Sequence, residues 1–352
     1  MGSRHFGARL AKYVNDVGYR CMVLENELLR IEILVDKGAT IRSLLHKPTD
    51  TEFMWHAPRA LRPASVTLGG SFFEGYEGGW QEVLPNGGPP SVHPSGAPLP
   101  FHGESVDVPW EVEVQVDEPD EVKVRLSLET ARTPLLVQKT LTLRSGSQVL
   151  EIEETLTNLS RHPLPIMWGH HPAVGAPFLG PECRIDVPAR RASTHRAEPI
   201  PDHRVSFDTE FEWPYAPGVD GSVIDMRMIP GPDSGTADWA CLLELESGWY
   251  AITNTQSRIG FGLVFDSTLF PYLWYWQMWG GWKGYPFYGR AYCCALEPWT
   301  SWPDAGLDAA IANGSALVLD GNQAIGTTLK AVVYTGLTHV ESISEAAEVT
   351  GG

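Results

Sequence analysis

The chain has 352 residues, of which 43% are hydrophobic and 20% are charged, a balance typical of a folded protein with a large apolar core. Its 43 Asp and Glu outnumber its 26 Lys and Arg, which gives a formal net charge of −17 at pH 7. Because no basic block offsets this acidic balance, nucleic acid and anionic membrane surfaces are excluded as expected partners. No apolar run approaches the roughly 18 residues of a membrane-spanning helix.

Targeting and cysteine patterns favour a cytoplasmic protein without a disulfide framework. The amino-terminal segment lacks the continuous apolar stretch and small-residue cleavage site of a signal peptide, so we expect a cytoplasmic location. The five cysteines are odd in number and show no CxxC spacing, which argues against disulfides and a cysteine zinc site. We expect them to be buried thiols. No segment indicates an oligomeric state.

Alternation of apolar and polar residues with period two recurs along the chain and predicts β-strands. In chain order, the predicted strands cover residues 31–35, 110–116, 122–128, a hairpin over 139–158, 239–245, 260–265 and 328–334. The hairpin turn falls at Ser145, Gly146 and Ser147. One short helix is predicted over residues 304–312, with Asp304 as its N-cap.

These elements predict an all-β fold built from antiparallel strands, punctuated by 35 Gly and 28 Pro. Because no repeat and no low-complexity linker divides the chain, we expect one β-domain over residues 1–352, with residues 1–20 and 340–352 peripheral to it. The sequence contains no GxGxxG, GxxxxGK[ST], GxSxG or HExxH motif, which disfavours nucleotide-binding, serine hydrolase and zincin functions.

Two early segments have the composition of a carbohydrate site, which needs flat aromatic surfaces surrounded by hydrogen-bonding groups. GGWQEVLPNGG, residues 78–88, supplies Trp80, Gln81 and Asn86 between glycines and a proline, which predicts a rigid loop. LPFHGE, residues 99–104, places His102 beside a glycine just before a strand.

Two later segments carry the candidate acid and base. HHPAVGAPFL, residues 170–179, follows an apolar run, so one histidine of the pair His170 and His171 can face a pocket while the other packs elsewhere. ALEPWTSW, residues 295–302, surrounds Glu297 with Trp299 and Trp302, and aromatic surroundings disfavour the charged form of a carboxyl group.

The tryptophan-rich run of residues 270–282 predicts either core filling or a stacking wall. Alternation puts Trp274, Trp276 and Met278 on one face of its strand, with Tyr275 and Gln277 on the other.

The ordered HG, HP and EP motifs at His102, His171 and Glu297 resemble the aldose 1-epimerase (galactose mutarotase) family. The similarity extends to GATIRSLL, residues 38–45, and LVLDG, residues 317–321. It implies a divergent member with a large antiparallel β-sandwich, the galactose mutarotase-like supersandwich. The implied activity is interconversion of the α and β anomers of a small-molecule sugar, without a metal or organic cofactor.

The resemblance also implies roles for individual residues. Glu297 is the base that takes the proton of the anomeric hydroxyl, and His171 is the acid that protonates the ring oxygen. His102 helps to bind the ring, with Gln81 and Asn86 as partners of sugar hydroxyls. Together with the aromatic composition of the motifs, this gives a predicted substrate-binding set of His102, Trp80, Gln81, Asn86, His170 and Trp299.

Several positions depart from the family pattern. His170 stands where an asparagine is usual, so it either binds substrate or competes with His171 as the acid. Asp266 is the nearest candidate for a substrate-gripping aspartate, although its position suits a turn residue better. A charged substituent on the sugar would require a basic residue, for which the candidates are Arg59, Arg62, Lys283 and Arg290.

Three alternatives remain open at the level of sequence. A glycoside-cleaving enzyme would pair Glu297 with a second carboxylate, Glu82 or Glu104. A non-catalytic sugar-binding protein would keep the aromatic site without turnover. A metal-dependent β-barrel is least favoured, because its HxH spacing is missing.

Overall fold

The structure is a computed structural model and describes residues 4–63, 72–195 and 199–352. The strands in the first half of the chain are β1 (Arg9–Val14), β2 (Arg20–Glu25), β3 (Leu29–Leu34), β4 (Thr40–His46), β5 (Thr51–Glu52), β6 (Trp80–Val83), β7 (Ser91–Val92), β8 (Pro98–Leu99), β9 (Glu111–Asp117), β10 (Glu121–Glu129), β11 (Leu135–Arg144), β12 (Val149–Asn158), β13 (Leu164–Ile166) and β14 (Gly169–Gly175).

The strands in the second half are β15 (Cys183–Asp186), β16 (Ala189–Ser193), β17 (Glu210–Glu212), β18 (Tyr215–Pro217), β19 (Val223–Asp225), β20 (Thr236–Leu245), β21 (Trp249–Asn254), β22 (Ile259–Val264), β23 (Tyr272–Trp279), β24 (Tyr292–Trp299), β25 (Leu317–Leu319), β26 (Ala324–Thr335), β27 (Val340–Ile343) and β28 (Val349–Gly351). The described residues also form two short α-helices, α1 (Phe72–Gly75) and α2 (Leu307–Ala312), and two 3₁₀ turns, Lys47–Thr49 and Pro232–Ser234.

Two antiparallel sheets form the body of the fold. The large sheet has twelve strands in the order β1-β2-β3-β4-β6-β14-β24-β23-β20-β16-β17, with β5 paired to β4. The second sheet has eight strands in the order β15-β21-β22-β26-β12-β11-β10-β9. The remaining strands form two-stranded ladders. The predicted all-β, antiparallel fold class is confirmed.

The core between the sheets follows from alternation along their strands. In the predicted hairpin, now β11 and β12, Leu141 lies opposite Ile152 and both are buried. They belong to one apolar cluster with Tyr275 and Leu296 of the large sheet. Each inward side chain removes apolar surface from water, the main favourable contribution to folding.

The large sheet buries its other face as well. On β23, Trp274 and Met278 belong to a second apolar cluster, whereas Tyr275 belongs to the cluster between the sheets. The predicted alternation of this strand is therefore confirmed. Because both faces of the central strands β6, β14, β24 and β23 are buried, polar side chains on these strands lie in dry surroundings.

The prediction of a loop over residues 78–88 is wrong for its first part. Residues Trp80–Val83 form β6, which lies in the middle of the large sheet between β4 and β14. All four residues are buried, so the segment shows no polar face that would reveal a strand. Glycines flank it because Gly78 and Gly79 adopt positive φ and closely approach Trp55 and Ile41.

The predicted helix over residues 304–312 begins later than expected. α2 starts at Leu307 after Gly306, and Asp304 does not cap it. Instead, Asn86 Oδ1 accepts a 2.8 Å hydrogen bond from the Leu307 backbone N–H. A side chain from a distant loop thus satisfies a donor that the first turn leaves unpaired.

The chain ends pack at the margins. β1 forms one edge of the large sheet, and β27 and β28 form a hairpin whose Val340 and Ile343 are buried beside Trp249. All five cysteines are free and buried, as expected. Within the described ranges, no helix has the length and apolar character required to cross a bilayer.

Candidate functional site

A pocket of about 110 Å³ lies on the face of the large sheet that points away from the second sheet. Strands β14, β20, β23 and β24 form its floor, and α1 together with the loops at residues 86–103, 280–290 and 300–306 form its walls. Among the described residues, its lining includes Phe72, Phe73, Tyr76, Gly88, Pro89, Phe101, His102, His171, Ile200, Trp239, Trp274, Trp276, Trp282, Phe287, Glu297 and Asp304.

Strand pairing brings His171 and Glu297 together. β14 and β24 are antiparallel, with Gly169 opposite Trp299 and Ala173 opposite Ala295, so His171 stands opposite Glu297. Both side chains point into the pocket, and Nε2 of His171 lies 3.5 Å from Oε1 of Glu297. The register between β14 and β24 thus brings together two titratable side chains that are 126 positions apart in the sequence.

The ring of His171 contacts the hydroxyl of Tyr76 on the side away from Glu297. Its Nδ1 lies 3.4 Å from the hydroxyl of Tyr76, and burial raises the pKa of that tyrosine well above its usual value. The neutral Tyr76 hydroxyl can donate to Nδ1 or accept from it, so this contact is compatible with either tautomer of the imidazole. Burial lowers the pKa of His171 to about 4, because charging the ring in the dry pocket is costly.

Trp299 holds the carboxylate of Glu297, and Trp274 packs against Trp299. The indole N–H of Trp299 donates a 3.0 Å hydrogen bond to Oε2, which leaves Oε1 directed at His171. The Trp299 ring stacks on Trp274, with centroids 4.0 Å apart and an interplanar angle of 18°. Glycine is required at position 169, since a Cβ there would lie 2.2 Å from the Trp299 ring.

His102 is fixed by the loop that it faces. The Gly88 N–H donates a 3.1 Å hydrogen bond to His102 Nδ1, and the His102 N–H donates to the Gly88 carbonyl at the same distance. Nδ1 is therefore an acceptor and Nε2 carries the proton. Burial and the neighbouring His171 hold the pKa of His102 well below its usual value, so the ring is a neutral donor.

His170 and Trp80 lie on the opposite side of the large sheet, outside the pocket lining. Trp80 donates a 3.2 Å hydrogen bond to His170 Nδ1, so His170 is the Nε2–H tautomer and donates to Glu154 Oε2 at 3.0 Å. Burial lowers the pKa of His170 to about 4. Because neighbouring residues on β14 point to opposite faces, His171 alone of the pair reaches the pocket.

The buried surroundings of His170 contain two carboxyl groups. Burial and the neighbouring Glu154 raise the pKa of Glu82 to about 7. Burial also raises the pKa of Glu154, to about 8. Lys139 Nζ lies 3.4 Å from Glu82 Oε2, and Trp168 donates a 3.0 Å hydrogen bond to Glu82 Oε1. One lysine thus balances one carboxylate, while the other carboxyl group keeps its proton at neutral pH.

Gln81 and Asn86 are engaged away from the pocket lining. Gln81 lies opposite His171 on β6 and donates a 3.4 Å hydrogen bond to Glu77. Asn86 donates to the carbonyls of Pro89 and Pro100 while it caps α2. Trp299 likewise acts on Glu297 from beside the pocket rather than from its lining.

The other sequence candidates have structural partners. Glu104 accepts hydrogen bonds from the backbone of residues 131–133 and from the Thr133 hydroxyl, which closes that loop. Asp266 accepts from the Thr268 N–H at 2.8 Å and is a turn residue. Within the described ranges, no group of three or more His, Cys, Asp or Glu could hold a metal ion.

Tyr76, Asp304 and most of the aromatic lining were not singled out by motif. Tyr76 follows closely on Phe72 and Phe73. This cluster of aromatic residues resembles the run at residues 270–282 and could have indicated a stacking wall in the same way. No sequence pattern indicated that Asp304 would line the pocket, because its position depends on the path of the loop before α2.

Comparisons with solved structures place the fold among galactose mutarotase-like proteins. A candidate aldose 1-epimerase from Klebsiella pneumoniae superposes with a TM-score of 0.71 at 17% identity, covering 93% of this chain and 87% of that one. A galactose mutarotase-like protein from Clostridium acetobutylicum superposes with a TM-score of 0.64 at 12% identity, covering 94% of this chain and 99% of that one. A galactose mutarotase related enzyme from Lactobacillus acidophilus gives 0.60 at 15% identity, covering 92% and 98%.

Sequence comparison adds the family. No curated protein matches the chain. A family model described as "Domain of unknown function (DUF4432)" matches residues 16–331, and because this match covers most of the 352 residues, the chain belongs to that family.

Proposed function

We propose that the protein is an aldose 1-epimerase that interconverts the α and β anomers of a sugar by opening and reclosing its ring. The observation that carries this proposal is the pair formed by His171 and Glu297, 3.5 Å apart and nearly fully buried in a pocket walled by aromatic rings. Anomerisation needs one general acid and one general base on the same ring, and this pair supplies both.

The proton balance of the reaction follows from the geometry. In the reactive form, Glu297 is ionised and His171 is protonated on both nitrogens, with the Tyr76 hydroxyl accepting from Nδ1. Glu297 takes the proton of the anomeric hydroxyl while His171 Nε2 gives its proton to the ring oxygen, and the C1–O5 bond breaks. Rotation about C1–C2 and the reverse transfers close the ring, which restores both residues.

The surrounding residues orient the pair and the sugar. The Trp299 N–H fixes the carboxylate, and the Tyr76 hydroxyl can accept from or donate to His171 in its two protonation states. His102 offers Nε2–H to a sugar oxygen. The low pKa of His171 makes its protonated form a strong acid, at the cost of a small protonated fraction at neutral pH.

The alternatives receive less support. Glycoside cleavage requires two carboxylates across the bond, and both candidates from the sequence, Glu82 and Glu104, have other partners. Asp304 is a second carboxylate in the pocket lining, so product analysis on glycosides belongs in the test. A non-catalytic binding protein would need no acid–base pair.

The test is anomer exchange measured by magnetisation-transfer NMR on a panel of neutral and acidic aldoses, together with their methyl glycosides. We expect acceleration for at least one free sugar and none for any methyl glycoside, because a methyl glycoside has no anomeric hydroxyl whose proton could be removed. Release of methanol would favour glycoside cleavage, and binding without exchange for every sugar would favour the binding protein.

A further inference from the structure

A second, smaller cavity adjoins the catalytic pocket. It has a volume of about 30 Å³ and shares Phe73, Tyr76 and Phe287 with the pocket, so one wall serves both spaces. A cavity of roughly 10–15 Å³ holds one water molecule, so this space accommodates a group of a few non-hydrogen atoms. We call it the side cavity.

Arg59 and Arg290 both line the side cavity. Arg59 donates to the carbonyls of Pro286 and Phe73, and Arg290 donates to the carbonyl of Pro58. Among the described residues, neither guanidinium has a carboxylate partner within the 4.0 Å of an ion pair. Two arginines without acidic partners beside one cavity are notable in a chain with a net charge of −17.

Some other arginines of the chain pair with carboxylates. Arg184 pairs with Asp186 at 2.7 Å, and Arg204 pairs with Asp238 at 2.6 Å. Guanidinium groups form strong, often bidentate hydrogen bonds with carboxylate and phosphate oxygens. The side cavity therefore offers the chemistry of an anion site directly beside the pocket.

Sugar geometry determines which substituent can reach the side cavity. The acid His171 protonates the ring oxygen, and in an aldohexopyranose C5, which bears C6, is bonded to that same oxygen. Tyr76 contacts His171 at 3.4 Å and also lines the side cavity. We therefore expect a substituent on C5 to point toward the wall that contains Tyr76, which the side cavity shares.

We propose that the side cavity binds an anionic group on C6, so that the substrate is an acidic aldose such as a hexuronate. This inference rests on the proposed function, because it takes the orientation of the sugar from the roles of His171 and Glu297. The small volume of the cavity favours a carboxylate over a phosphate. The two guanidinium groups would supply the positive charge that an anionic group requires.

The test compares sugars that differ only at C6: glucose, glucuronate and glucose 6-phosphate, and galactose with galacturonate. Exchange rates from NMR give kcat/KM, and tryptophan fluorescence of the Glu297→Gln variant gives affinity independently of turnover. We expect at least one uronate to exceed its neutral hexose by about tenfold or more in both measurements, and to exceed the 6-phosphate.

Variants separate the site from general electrostatics. Arg290→Gln should lower the ratio of uronate to hexose about tenfold, and Arg290→Glu should invert the preference. Lys283→Gln removes an exposed positive charge that pairs with Asp202 outside the side cavity, and it should leave the ratio unchanged. Using a ratio cancels any loss of folded protein.

The outcomes for the two proposals are distinct. If uronates bind more weakly than or equally to their neutral hexoses, or if Arg290→Gln leaves the ratio unchanged, the side-cavity proposal is overturned even when anomer exchange is fast. If no sugar is anomerised but the Glu297→Gln variant still prefers uronates, the anion site stands and the catalytic proposal fails.

Discussion

Replacement of Trp299 by phenylalanine isolates the hydrogen bond that orients the proposed base. The indole N–H of Trp299 donates to Glu297 Oε2 at 3.0 Å, and the buried carboxylate has Oε1 directed at His171. Phenylalanine keeps an aromatic ring against Trp274 but removes the donor. The carboxylate can then rotate away from the position in which it would take the proton of the anomeric hydroxyl.

The expected loss follows from the strength of such a bond. A hydrogen bond to a charged group contributes about 1.5–3 kcal/mol. At about 1.4 kcal/mol per tenfold change in rate, kcat should fall about 10- to 150-fold. Since Trp299 does not line the pocket, KM should change little. The assay is the NMR exchange rate as a function of sugar concentration, which separates kcat from KM.

Trp168→Phe is a matched control. Trp168 also donates a 3.0 Å hydrogen bond to a buried glutamate, Glu82, but on the opposite face of the large sheet. Both variants should lose similar stability in urea unfolding, whereas only Trp299→Phe should lose kcat. A change of less than about threefold in kcat for a folded Trp299→Phe protein, or equal losses in both variants, would refute the orienting role.

Three further predictions follow from the buried groups. Because burial lowers the pKa of His171 to about 4 and the reactive form needs this ring protonated and Glu297 ionised, kcat/KM should rise as the pH falls from 8 until Glu297 itself takes a proton; a kcat/KM that falls steadily as the pH falls from 8 contradicts the mechanism. Burial raises the pKa of Glu154 to about 8, above the usual value near 4.3, so the folded state holds a proton that the unfolded state releases, and the contribution of Glu154 to stability falls as the pH rises. The lowered pKa values of His170 and His171 act in the opposite sense below pH 6.5, so the Tm should fall from pH 6.5 to 8. Glu154→Gln should reduce that slope of Tm against pH, and equal slopes would show that the carboxyl group does not carry it. Asn86→Ala removes the cap on the Leu307 N–H and should cost about 1–3 kcal/mol in urea unfolding, and a cost below about 0.5 kcal/mol would argue against the capping role.

Local alternation was sufficient to predict several strands and their faces, although not the fully buried β6. The period of two along β11, β12 and β23 is strong because each of these strands buries its side chains in fixed directions. The same rule predicted that His170 and His171 would face opposite sides. It did not say which of them meets Glu297, because that depends on the register between β14 and β24.

The polar residues of residues 78–88 could not be interpreted from composition alone. Gln81 and Asn86 have the side chains of sugar ligands, yet each is used to join segments of the fold. Which use applies depends on tertiary hydrogen bonds, and the partners Glu77 and Leu307 cannot be identified from the local sequence around Gln81 and Asn86. Arg59 and Arg290 could not be linked from the sequence either, because 231 positions separate them although both line the side cavity.

The most direct test of the proposed function compares wild type, Glu297→Gln and His171→Asn in NMR anomer exchange with the sugar that the wild type turns over fastest. Glu104→Gln serves as the control for a buried glutamate outside the pocket. The proposal predicts fast exchange in the wild type, a loss of at least about 100-fold in each of the two pocket variants, and no loss of kcat in the folded control. Exchange that persists in Glu297→Gln or His171→Asn at the wild-type rate would contradict acid–base ring opening by this pair.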